Sequence, residues 1–98
     1  MSDTGYTQMG RVEAFSPLSG IRCWFYSQDH RPPHFHAEKR GQWHVRVYFL
    51  MLKDEMLEQV RGLRGPMSSA DRNALVDVAE LYREELLKEW EEKVVCDG

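Results

Sequence analysis

The chain has 98 residues, 42% hydrophobic and 30% charged, with a formal net charge of −3, which excludes wholesale disorder and fits one domain over 1–98, with flexible ends expected at 1–10 and 95–98. Its two cysteines, Cys23 and Cys96, form no paired motif, and no apolar run approaches the ~20 residues a bilayer span needs. With no leader-like segment either, the expected location is the cytoplasm, with no membrane association.

In chain order, Ile21 to Tyr26 alternates Ile21, Cys23 and Phe25 with Arg22, Trp24 and Tyr26, the period of a half-buried strand. Ser27 to Pro33 contains Pro32-Pro33, whose fixed φ and missing N–H groups force a turn. His34 to Glu38 is a short second strand, Lys39 to Gln42 a turn, and Trp43 to Leu50 a third strand with Val45, Val47 and Phe49 on one face. Glu55 to Arg61 is read as a fourth strand, although its Met, Leu, Glu and Gln also favour helix. After Gly62, Gly65 and Pro66, Ser68 with Asp71 three residues on marks a capped helix start. Leu75, Val78, Ala79, Tyr82, Leu86 and Trp90 then recur at helical spacing, which predicts one long amphipathic helix running to Val94.

The fold class that follows is α+β, a small antiparallel sheet of three to four strands packed on a single C-terminal helix. Phe25, Phe35, Val45, Val47 and Phe49 are expected to bury against Tyr82, Leu86 and Trp90. The opposite sheet face then carries Arg22, Trp24, Tyr26, His44, Arg46 and Tyr48 beside the remaining histidines. So aromatic a face calls for cover by the N-terminal segment, a ligand, a protein partner or a second copy of the chain. Between Arg22 and Tyr48 five basic residues stand against two acidic ones, which leaves the rest of the chain at −6 and makes an anion-binding surface, nucleic acid included, an alternative use of this face.

All four histidines lie between positions 30 and 44. His34 and His36 are two residues apart and point the same way on a strand, with Glu38 next in the row and His30 on the preceding turn. His30, His34, His36 and Glu38 form a candidate ligand set for a divalent Zn, Mn or Fe ion. Structural imidazoles hydrogen-bonded around the Pro32-Pro33 turn, and proton-transfer catalysis, are the competing readings.

The run His30-Arg31-Pro32-Pro33-His34-Phe35-His36-Ala37-Glu38 resembles a bacterial family catalogued as domain of unknown function 4160. The likeness spans Trp24 to Glu38 and resumes at Ala79-Glu80-Leu81 through Trp90. Tyr82 stands where the resemblance implies a helix histidine, and Lys53 to Ser69 is longer than it implies. The resemblance implies a small interaction or regulatory module, one member of a two-protein, toxin–antitoxin-like system. A metal-dependent hydrolase or nuclease built on the histidine cluster is the alternative, with no enzyme activity as the favoured expectation.

Overall fold

Alternation decides the central strands. In the computed structural model, which describes residues 9–60 and 67–96, the segments β1 (Met9–Arg11), β2 (Arg22–Tyr26), β4 (Phe35–Lys39), β5 (Trp43–Val47) and β6 (Leu57–Gln59) form one antiparallel sheet in the order β1-β2-β4-β5-β6. A second, two-stranded sheet pairs β3 (Gln28–Asp29) in parallel with β7 (Val95–Cys96). The helices are α1 (Ser69–Leu81) and α2 (Arg83–Lys93).

Two expectations are corrected. The sheet has five strands rather than three or four, because residues just before Val12 add β1 at the edge of β2; the expected fourth strand is present as the shorter β6. The helix is two helices, divided at Tyr82, which has φ −108° and ψ 26°. At this break the Tyr82 ring meets Phe15 at 6.0 Å, and Arg83 Nε donates to the Phe49 carbonyl at 2.8 Å. Tyr82 and Arg83 are thereby directed to separate targets in the body of the protein, with no proline or glycine to break the helix. The start of α1 is as the sequence indicates, the Ser68 hydroxyl accepting from the Asp71 N–H at 3.1 Å.

Of the two ends read as flexible, Met9 and Gly10 belong to β1, and Val95 and Cys96 belong to β7. Residues 1–8 and 97–98 lie outside the described residues, as does Arg61 at the end of the expected fourth strand.

Register sorts the side chains. The partners Cys23↔Ala37, Phe35↔Val47 and Ala37↔Val45 share the face that packs on the helices. Phe25, Phe35, Val45, Val47 and Phe49 are all buried there together with Leu86 and Trp90, while Tyr82 is half-buried at the margin. Each large apolar side chain so buried contributes roughly 1.5–3 kcal/mol. The partners Trp24↔His36, His36↔Arg46 and Glu38↔His44 share the other face.

A buried carboxylate pins the segment after β1 to α2. Glu89 accepts the N–H of Glu13 at 2.8 and 3.1 Å and that of Ala14 at 3.0 Å, and pairs with the Lys93 ammonium.

Candidate metal centre

The polar sheet face is closed by its own rings. Trp24 lies almost parallel to His36, with centroids 5.5 Å apart and planes 17° from each other, and Tyr26 meets His36 edge-on at 4.6 Å. Trp24, His34, His36 and Tyr48 are buried, Tyr26, His44 and Arg46 are half-buried, and Arg22 is exposed.

Asp29 completes this cluster from β3. The chain leaves β2, pairs Gln28 with Val95 and Asp29 with Cys96, and turns through Pro32-Pro33 into β4. That reversal sets the Asp29 carboxylate against the two imidazoles that precede and enter β4. Asp29 Oδ2 is 3.0 Å from His34 Nε2 and 3.1 Å from His36 Nε2, and the three ligating atoms lie within 4.8 Å of one another. Their side chains are 11%, 0% and 6% exposed, so the cluster is closed from bulk water on most sides.

The hydrogen-bond pattern fixes which nitrogen of His34 is free. His34 Nδ1 is 2.8 Å from the Pro32 carbonyl, an acceptor only, so this nitrogen carries the proton. Nε2 of a neutral His34 is then a lone pair, and it makes no hydrogen bond although it is buried and 3.0 Å from Asp29 Oδ2. His36 Nε2 hydrogen-bonds Asp29 Oδ2 at 3.1 Å, which puts its proton on that nitrogen, while its Nδ1 lies 3.3 Å from His44 Nε2, so that moving the proton to Nδ1 and donating it to His44 would free Nε2 for an ion.

Protonation does not relieve the crowding. Burial holds both rings below the ordinary imidazole range, His36 down to about 4, against the opposing pull of Asp29. Burial by itself pushes the Asp29 carboxyl upward, but the His30 backbone N–H at 2.9 Å and the neighbouring imidazoles bring it below its ordinary value. At neutral pH the cluster is therefore one carboxylate and two neutral imidazoles, with the His34 Nε2 lone pair turned on the carboxylate and His36 Nε2 hydrogen-bonded to it. A divalent cation fits such a donor set, because two ligands ~2.1 Å from an octahedral ion and at right angles to each other lie ~3 Å apart. The outward bonds to the Pro32 carbonyl and to His44 are the supports that orient ligand imidazoles in metal sites.

Of the residues singled out in the sequence, His34 and His36 are brought together. His30 sits at the rim, exposed, with Nδ1 3.1 Å from the other Asp29 oxygen. Glu38 lies apart, its carboxylate 3.8 Å from the Arg22 guanidinium. Arg22 also stands 5.0 Å over the Trp24 ring, Arg46 donates to Glu58 at 3.1 Å, and the Tyr48 hydroxyl donates to the same carboxylate at 2.6 Å. Asp29 was not singled out, although it is the only carboxylate between Trp24 and Ala37. In place of a histidine from the helices, α2 supplies Trp90, whose ring is 5.5 Å from that of His34.

No helix among the described residues is long and apolar enough to cross a membrane. No curated protein and no solved structure matches the chain. The family model described as a domain of unknown function, DUF4160, matches residues 20–91, a span that holds β2 to β6, the Asp29, His34 and His36 cluster and most of both helices. The chain belongs to the DUF4160 family.

Proposed function

We propose that this protein is a small metal-dependent binding module in which Asp29, His34 and His36 hold one divalent transition-metal ion. The observation that carries this reading is the buried, unpartnered Nε2 of His34 facing a carboxylate oxygen. A neutral imidazole and a carboxylate have no proton to share at that contact, and leaving a buried acceptor unmatched costs ~1 to 3 kcal/mol. A cation turns the mismatch into attraction. The ligands come from β3, from the residue just before β4 and from β4 itself, so the ion ties the small sheet to the large one. Its near-closed surroundings favour a fixed structural or regulatory ion over one turning over substrate. The exposed rim, with His30, Arg22 and the half-buried His44, is the part of the centre that a protein partner in a two-protein system reaches.

The test uses protein purified without a histidine tag and stripped with chelator. Adding Zn, Mn or, under anaerobic conditions, Fe(II) is expected to raise the melting temperature at one ion per chain, since a ligand held only by the folded state stabilises it by ~2.7 kcal/mol at a hundred times its Kd. His34→Ala and His36→Ala each abolish the rise. A wild-type melting curve unmoved by all three ions removes the proposal.

A further inference from the structure

On the other side of Trp24 from His36 the edge of the sheet opens into a cleft of 310 Å³. β1 follows β2 as far as the bond from the Val12 N–H to the Cys23 carbonyl, at 3.0 Å. The chain then swings away, because the next N–H groups, of Glu13 and Ala14, are taken by Glu89. It returns through a turn closed by Ile21 N–H to the Leu18 carbonyl at 3.3 Å, in which Gly20 has φ +76°, a conformation that favours glycine. The detour leaves a space walled by Val12, Phe15, Leu18, Ile21 and Cys23. Burial pushes the Cys23 thiol up to about 12, so it stays protonated and serves as an apolar wall.

Arg11 and Arg22 are among the residues that line the same cleft, and none of the lining residues is acidic, in a chain whose formal net charge is −3. Both arginines are exposed. The Arg22 guanidinium stands 5.0 Å over the Trp24 ring and 3.8 Å from the Glu38 carboxylate, an ion pair long enough for an incoming anion to compete with. We infer that this cleft is a binding site for a small monocarboxylate with an aliphatic or aromatic body, the body against Phe15, Leu18 and Ile21 and the carboxylate between Arg11 and Arg22. Apolar enclosure with a few convergent polar groups is the general form of small-molecule sites, and guanidinium groups match a carboxylate with paired N–H donors.

The inference is independent of the metal centre and is tested on the whole chain by nuclear magnetic resonance titration with octanoate, octylamine and octanol below their aggregation limits. Octanoate is expected to give saturable shifts confined to Val12, Phe15 and Ile21 to Trp24, and to bind at least tenfold more tightly than octylamine. In the double variant Arg11→Gln/Arg22→Gln, whose exposed side chains leave the melting temperature near wild type, octanoate affinity falls at least tenfold while that of octanol is unchanged. Leu18→Trp, which fills the cleft, abolishes the shifts with all three probes. Equal binding of octanoate and octylamine, shifts centred elsewhere, or octanoate affinity indifferent to the loss of both arginines overturns the assignment.

Discussion

The carboxylate of Asp29 and the imidazole of His34 meet at 3.0 Å without a hydrogen bond between them. Replacing Oδ2 by an amide NH2 supplies the missing donor to His34, and His36, with its proton moved to Nδ1 toward His44, accepts from the same group. Asp29→Asn is therefore expected to leave the metal-free protein as stable as wild type or more so by up to ~1 kcal/mol, while removing the metal-dependent rise in melting temperature. Paired melts of both proteins in chelator and in Zn check this, and an Asp29→Asn protein less stable than wild type in chelator contradicts it.

In the metal-free protein the same cluster gives stability a defined pH dependence. The unfolded chain takes up a proton on each histidine near pH 6.5, whereas burial delays protonation of native His36 to about pH 4 and shifts His34 and His44 in the same direction. Between those values the unfolded state holds more protons, so stability is full above about pH 6.5 and is lost as the pH falls toward 4. His36 alone accounts for ~3 kcal/mol of that loss. Urea unfolding at half-unit intervals from pH 7.5 to 4 measures it, and a flat profile speaks against neutral buried imidazoles.

His44 supports His36 from outside the ligand set, through the 3.3 Å contact between His36 Nδ1 and His44 Nε2. His44→Ala is expected to weaken metal binding by ~10 to 100-fold, the usual cost of losing an outer partner. His44→Gln, whose carbonyl oxygen can accept the same N–H, recovers part of the loss. Competition against a chromophoric chelator gives both affinities, and equal affinities for wild type and His44→Ala would show that the contact positions nothing.

Glu89 bonds to the segment after β1 rather than to the centre and provides a contrasting measure of fold stability. Glu89→Ala strands the Glu13 and Ala14 N–H groups and leaves the Lys93 ammonium with only Glu13 and the Arg11 carbonyl, and is expected to cost ~3 kcal/mol. Glu89→Gln, which keeps an acceptor, costs less. Metal affinity of the folded fraction is unchanged in both, as chelator competition at low temperature can verify.

The residues that were legible in the sequence are those whose environment is set by their own element. Phe25, Phe35, Val45 and Val47 follow from period-two alternation, and Leu86 and Trp90 follow from helical spacing, because in both cases neighbours in sequence define the buried face. The shared direction of His34 and His36 follows from the same rule. Asp29 was hidden because its place depends on β3, a strand of two residues with no alternation to display, whose partner is the last strand of the chain. β1 and β7 were hidden for the same reason, being short segments that become strands through the edges they meet. The division at Tyr82 carries no local signal either, since Tyr82 and Arg83 are compatible with an unbroken helix and their targets, Phe15 and the Phe49 carbonyl, lie far away in sequence.

The parallel pairing of β3 with β7 sets an order of events in time. His34 and His36 are fixed by β2, β4 and β5, neighbours joined by short connections, whereas β3 cannot pair until α1 and α2 have brought β7 back across almost the whole chain. Closing so long a loop is expected late, when most other contacts already reward it. The Asp29 carboxylate is accordingly expected to be the final ligand to arrive, after the rate-limiting barrier to folding has been crossed. An ion held by the proposed centre would then leave the refolding rate untouched and act on the reverse step, lengthening the lifetime of the native state in proportion to how tightly it is held.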